Sequence, residues 1–338
     1  MKQKLGICIV GCGYMGQIHA SRWANVPAAE IVAVVDQDEK RADQLATQYK
    51  LERYFTNYLE ALALPSVDVV SVCIPTSLHA EVAIAAAKSG KHILCEKPIA
   101  LTLQQADQMI VAAEENTVKL GIGFMRRHSP VVQELESFLS SGKLGRPVLY
   151  SASDVRELRP KREMHAATVN GGPVIDMAVH LIDLWMTIFD SRPISVAAQG
   201  LKIGAGRPEI AHIDKPAVDT ATIVVKFESG DIGTFVVTWG LPPKVNPANH
   251  KDQIYGPNGL IEAYYAGNQQ EFQLMHEGGA WKTVAISHED MYHNQIAKFA
   301  RWILYDEPFP ATGTEGRTAL KVALAALESI NTNQTIQL

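Results

Sequence analysis

The chain predicts an α/β fold, an N-terminal doubly wound parallel sheet followed by a C-terminal α/β domain with a large, open, mainly antiparallel sheet. Three observations predict it. Short apolar runs alternate with helical stretches as far as Phe124, a glycine loop follows the first apolar run, and beyond Phe124 consecutive strands replace the alternation. The 338 residues suit about two domains, and the change of pattern sets a boundary between 1–123 and 124–338.

The elements follow in order. Leu5–Val10, Ile31–Val35, Val67–Ile74 around Asp68, His92–Cys95 and Lys119–Phe124 are short and mainly apolar, as strands buried on both faces of a parallel sheet are. Between them, Tyr14–Asn25, Asp38–Tyr49, Ser77–Ser89 and Thr102–Glu115 read as helices, the third closed by Gly90 and the fourth opened by Thr102. A helix over Pro130–Ser141, a strand over Pro147–Val155 and a helix near Asp176–Phe189 come next. Strands then dominate: Ile194–Leu201, Asp219–Phe227, Ile232–Trp239, Lys251–Tyr255, Gly259–Tyr265, Phe272–His276 and Trp281–Ile286. Ser229-Gly230 between two alternating runs marks a tight hairpin. Helices over Met291–Tyr305 and Thr314–Ser329 close the chain.

Composition removes several classes of function. Apolar residues make up 47% and charged residues 20%, and 31 Lys+Arg against 36 Asp+Glu leave a net charge of −5. With no block of like charge, this argues against nucleic acid and membrane surfaces as partners. The longest uncharged run, Leu5–Ser21, holds three glycines of a tight loop and a histidine and is too short to span a bilayer. Four cysteines without a C-x-x-C pair fit a reducing cytoplasm and give no expectation of a bound metal.

Gly11-Cys-Gly13-Tyr14-Met15-Gly16 follows a strand directly and opens a helix, and Asp36 ends the next strand twenty residues after Gly16. Gly11 permits the turn, Gly13 lets backbone approach a pyrophosphate, and Gly16 lets helix and strand close together. Asp36 would accept the ribose hydroxyls and repel a 2′-phosphate, so NAD is the expected cofactor and NADP the less favoured one. Lys40 and Arg41 read as solvated charges on the first turns of the next helix.

Two further clusters carry chemistry. Cys95-Glu96-Lys97-Pro98 follows a sheet strand at the end where such sheets place ligands. Gly171-Gly172 leads to Asp176, His180 and Asp183, whose spacing puts three polar groups on one helix face among apolar neighbours. Polar groups on a buried helix need partners or a ligand.

These motifs, together with Pro75-Thr76-Ser-Leu-His79, Gly121-Ile-Gly-Phe-Met125-Arg126-Arg127 and Tyr255-Gly-Pro-Asn-Gly259, run in an order that resembles the Gfo/Idh/MocA family of NAD(P)-dependent sugar and polyol oxidoreductases. The resemblance implies a dinucleotide-binding domain over 1–123, and a substrate-binding and oligomerisation domain over 124–338 whose sheet makes a homodimer or homotetramer. It also implies a site between them. Tyr14, Met15, Thr76, His79, Glu96 and Lys97 join the glycines and Asp36 on the cofactor side. Met125 and Arg126 resemble pocket residues of the inositol dehydrogenase branch, and Asp176, His180 and Asp183 complete the substrate side. The segments Glu157–Thr168 and Leu241–His250 match no pattern the resemblance assigns. His19 reads as structural.

Chemistry then suggests roles. Oxidising a secondary alcohol of a sugar, polyol or inositol requires loss of the hydroxyl proton, and an imidazole titrating near about 6.5 suits that task, which points to His180. Asp176 would orient it or the substrate, Lys97 would hold the reacting oxygen and Asp183 a neighbouring hydroxyl. Two other readings stand beside it: a non-catalytic sugar sensor that binds the dinucleotide, in which Lys97, Asp176 and His180 together would be superfluous, and an NAD-dependent glycosidase with a transient oxidation, which would keep Lys97 and His180.

Overall fold

A computed structural model describes residues 4–245, 252–264, 271–276, 279–287 and 289–338. The chain divides into two units, one of Met1–Met125 with Asp290–Arg317 and one of Arg126–Glu289 with Thr318–Leu338.

In the first unit, β1 (Leu5–Val10), β2 (Ala29–Val35), β3 (Val69–Val72), β4 (His92–Cys95) and β5 (Leu120–Ile122) make a wholly parallel sheet in the order β2-β1-β3-β4-β5. Every residue of β1 and β3 is buried, which is why their sequences run apolar without alternating. Helices over Tyr14–Trp23, Glu39–Gln48, His79–Lys88 and Leu103–Glu115 lie between the strands in sequence. The side chains of Asp38 and Thr102 cap the second and fourth by accepting from Lys40 N and Gln105 N. A one-turn helix, Tyr58–Leu62, was not expected; Asn57 caps it.

Residues Asp290–Arg317 cluster with this unit, a return of the chain that the change of pattern near residue 123 does not announce. Phe299, on the helix Met291–Tyr305, meets the Trp23 ring edge-on at 6.4 Å. A Cβ at Gly121 would stand 2.7 Å from the Phe299 ring, so β5 needs a glycine where this helix arrives. Arg317 pairs with Asp107.

In the second unit, β6 (Leu149–Glu157), β7 (Pro193–Leu201), β8 (Thr220–Phe227), β9 (Ile232–Leu241), β10 (Asp252–Gly256), β11 (Gly259–Tyr264), β12 (Glu271–His276), β13 (Trp281–Ala285) and β14 (Ile336–Gln337) form one sheet. Its order is β13-β12-β11-β10-β6-β9-β8-β7-β14, antiparallel except for the β6–β9 pair. The hairpin between β8 and β9 closes at Gly230, with φ +86, as its Ser-Gly pair predicts.

The helix Ala178–Phe189 packs against β9 and is buried almost all round, which explains its uniformly apolar sequence. Trp185 leaves room for no side chain at Gly233 and meets Tyr150 edge-on at 6.0 Å. The opposite face of the sheet is open, and alternate residues such as Leu149, Val236 and Tyr255 are exposed on it.

Of the Leu241–His250 segment, residues after Val245 lie outside the described residues. So do Lys251 and Tyr265 at the ends of two expected strands, and His288. Among the described residues, no helix is long and apolar enough to cross a membrane.

Candidate functional site

The glycine loop begins where β1 ends. Gly11 adopts φ +94, and a Cβ there would run into the Cys73 carbonyl, while a Cβ at Gly16 would strike the Gly11 carbonyl. Gly13 is different. Nothing stands within 4 Å of where its side chain would be, so this glycine leaves open space over the loop. Tyr14 beside it is 79% exposed, and Met15 is half-buried.

Asp36, at the end of β2, accepts from Cys12 N and Asp38 N, both at 2.8 Å, which locks its carboxylate against the glycine loop. Arg41 is held on the surface by Asp38 at 3.3 Å, and Lys40 is exposed. Tight glycines beneath an open cradle, a helix N-terminus and an anchored carboxylate fit a dinucleotide.

Behind the end of β4 lies a buried polar network that the sequence reading passed over. His19 Nδ1 lies 2.7 Å from Ser71 Oγ and its Nε2 2.9 Å from Glu96 Oε1, with His19 wholly buried and Glu96 6% exposed. Burial by itself lowers the His19 pKa, but the nearby Cys73 and the Glu96 carboxylate outweigh it and raise it to about 10. Glu96 Oε2 accepts from Lys97 N at 3.3 Å, so the network ends at the backbone of the half-buried Lys97. A Cβ at Gly123 would lie 2.7 Å from Glu96 Oε1, which fixes glycine at that position. One clue to His19 was present in the sequence: it stands three residues after Gly16 and therefore shares that glycine's sheet-facing side of the helix.

Thr76 is buried in the 3₁₀ turn Thr76–Leu78 after β3. His79 follows, its ring nitrogens 2.8 Å from the Pro98 carbonyl and 2.9 Å from that of Ile74. Burial lowers its pKa. Its ring ties two backbone segments together.

In the second unit, the expected single helix is two. A turn over Pro173–Asp176 follows Gly172, which has φ +71, and the main helix begins only at Ala178. The placement of Asp176 on one helix with His180 and Asp183 is therefore corrected, because the backbone leaves regular helix at Met177 (φ −100, ψ −39). Asp176 is half-buried on the preceding turn, whereas His180 is 5% exposed and Asp183 fully buried, one turn apart on the same face.

Met125 and Arg126 belong to a 3₁₀ turn over Met125–His128 and are half-buried. Their neighbour Arg127, quoted in the sequence motif without a role in the site, donates from Nε to Asp183 Oδ1 at 2.8 Å with 10% of its side chain exposed. A buried carboxylate next to a guanidinium is what burial at this position demands.

Residues 5–124 match the oxidoreductase family with an NAD-binding Rossmann fold, and residues 132–262 match the GFO/IDH/MocA C-terminal domain. The chain is 27% identical to myo-inositol 2-dehydrogenase of Thermotoga maritima, over 98% of each chain. It is 25% identical to scyllo-inositol 2-dehydrogenase (NAD(+)) of Bacillus subtilis, over 100% of this chain and 97% of that one. The aldose-aldose oxidoreductase of Caulobacter crescentus has the same fold, with a TM-score of 0.87 at 24% identity across 99% of this chain and 100% of the other. With an NAD-binding Rossmann match over residues 5–124, the family's C-terminal domain over 132–262 and relatives aligned end to end, the chain belongs to the Gfo/Idh/MocA family of oxidoreductases.

Proposed function

We propose that this protein is an NAD(H)-dependent dehydrogenase acting on a secondary alcohol of a sugar, polyol or inositol. The observation that carries the reading is the open cradle over Gly13 beside the anchored Asp36, in a chain aligned along its whole length with inositol dehydrogenases. Gly11, Gly13, Tyr14, Met15 and Gly16 would hold the pyrophosphate end, and Asp36 the ribose, its charge favouring NAD over NADP. Thr76, His79, Glu96 and Lys97 complete the cofactor side.

Bound nicotinamide supplies the hydride chemistry. The chain's own residues handle the proton and the charge. His180 takes the hydroxyl proton in the oxidative direction and returns it in the reductive one. Asp176 orients that exchange, and Lys97 donates to the reacting oxygen as alkoxide character develops. Asp183 fixes a neighbouring hydroxyl and, through Arg127, the turn that carries Met125 and Arg126 to the substrate. Residues 1–123 serve the cofactor, and 124–338 serve the substrate and self-association through the open sheet face. The cytoplasm, which keeps Cys8, Cys12, Cys73 and Cys95 as the free thiols seen, is the proposed location.

The test is nicotinamide absorbance with NAD⁺ and NADP⁺ in parallel over inositols, aldoses, anhydrosugars and sugar acids. Turnover with NAD⁺ that drops by about 10²-fold or more in Lys97→Ala and in His180→Ala, each with an unchanged melting temperature, supports the assignment. Tight NADH binding with no turnover of any sugar gives the protein to the sensor class instead. Hydrolysis of a glycoside without net NADH gives it to the internally recycling glycosidases.

A further inference from the structure

The Glu157–Thr168 segment, which the roles above leave unused, carries a cation of a different kind from its neighbour. Arg156 is neutralised on the spot, with Nε and Nη2 at 2.5 and 2.6 Å from the two oxygens of Asp154. Arg159 is not. Its Nε and Nη2 are shielded from solvent and have no hydrogen-bond partner, although the residue as a whole is only half-buried. Those two N–H groups lie along one edge of the guanidinium, the edge that grips a carboxylate or phosphate with two parallel bonds.

The guanidinium is held in place from behind. Its Cζ sits 5.2 Å from the centroid of the Trp239 ring, which is itself 3% exposed. Leu158 N donates to Leu241 O at 2.9 Å, joining the ends of β6 and β9, and the Leu158 side chain is buried with Ala166, Val169, Ile210 and Ile213. His165, itself buried, lies near the Arg159 backbone.

The charges around Arg159 do not satisfy that edge. Asp154 accepts from Arg156 and from Trp239 Nε1 at 3.2 Å, and Glu157 accepts from Lys244 N. Burial and the Arg156 charge disfavour the charged guanidinium, while Asp154, Asp176 and Glu157 favour it. None of these carboxylates bonds to Nε or Nη2. Asp176, which orients the proton exchange at His180 in the reading above, is among the charges that act on Arg159, so the guanidinium stands within electrostatic reach of that exchange. Shielded donors without an acceptor cost free energy that a ligand supplying two oxygens returns.

We propose that Arg159, backed by Trp239, binds an anionic oxygen group of the substrate, a carboxylate or a phosphate ester, so that the alcohol oxidised belongs to an acidic or phosphorylated sugar. The proposal rests on the dehydrogenase reading for its chemistry but not for its binding. An arginine with two idle donors discriminates against a neutral sugar by leaving them unpaired.

The experiment compares the full-length protein with Arg159→Gln and Arg159→Lys on myo-inositol, D-glucose, D-gluconate, D-glucuronate and D-glucose 6-phosphate with NAD⁺. Wild type should favour an anionic member. In Arg159→Gln the loss of kcat/KM for that member should exceed the loss for the neutral sugars by at least about 30-fold, chiefly through KM. Arg159→Lys should recover only part of it. Gluconate and glucuronate against the phosphate ester identify the anion. Preference for a neutral sugar, or equal losses on both classes, overturns the proposal.

If nothing reduces NAD⁺, the dehydrogenase reading fails alone, and calorimetric titration with gluconate and glucose 6-phosphate still decides the anion site. Binding by wild type that Arg159→Gln loses sustains it. No binding, or equal binding by both proteins, overturns it.

Discussion

His19 shows how a residue earns a place behind a site without touching substrate. Its ring joins Ser71 to Glu96, and Glu96 in turn receives the Lys97 amide. Because the folded-state pKa is raised, to about 10 from 6.5, the pair stabilises fully below pH 6.5 and fades as pH climbs towards about 10. The melting temperature of wild type should therefore exceed that of His19→Asn by its widest margin near pH 6 and by almost nothing near pH 10. A margin that stays constant over this range would show that the ring acts by packing alone. Asp36 and the glycines were readable in the sequence because each meets a local backbone demand next to a strand end. Arg127 and Arg159 were not, since an ion pair across 56 residues and a cation stacked on a tryptophan 80 positions away leave no mark on local spacing.

Elements were legible to the degree that their stability is local. The caps at Asp38 and Thr102 and the Ser229-Gly230 turn act within a few residues, so the pattern that announces them is the structure that forms. The split at Met177 lay beyond that reach, since apolar residues fill both sides of the break and periodicity runs through it. Asp290 offers a test at this scale. Its carboxylate accepts from Tyr292 N at 2.9 Å and His293 N at 3.1 Å, and it pairs with Arg22, at 2.7 Å, from the helix after the glycine loop. Asp290→Ala should cost about 1–2 kcal/mol, almost all from the cap, because the partly exposed ion pair adds little. Urea unfolding followed by circular dichroism measures it. Arg22→Ala, which removes the pair but keeps the cap, should cost clearly less.

For the molecule as a whole, alternation of strand and helix gave the parallel sheet, and the later run of strands gave the antiparallel one. The contribution of Asp290–Arg317 to the first unit was hidden, because those helices have the same amphipathic pattern whichever core they join. The open sheet face bears on assembly: Leu149 is 38% and Val236 44% exposed on it, apolar side chains that a second copy of the chain would cover. Sedimentation should find a dimer or tetramer, and Leu149→Glu with Val236→Glu should shift it towards monomer; a wild-type monomer would leave that face without its proposed role. The path of the chain has another consequence. It passes from one unit to the other after Met125, after Glu289 and after Arg317. A gene-level exchange that imports a relative's nucleotide module through one crossover near codon 125 would leave the new sheet with the old Phe299 against its Gly121 position, so recombinants that survive should carry the 290–317 stretch from the same parent.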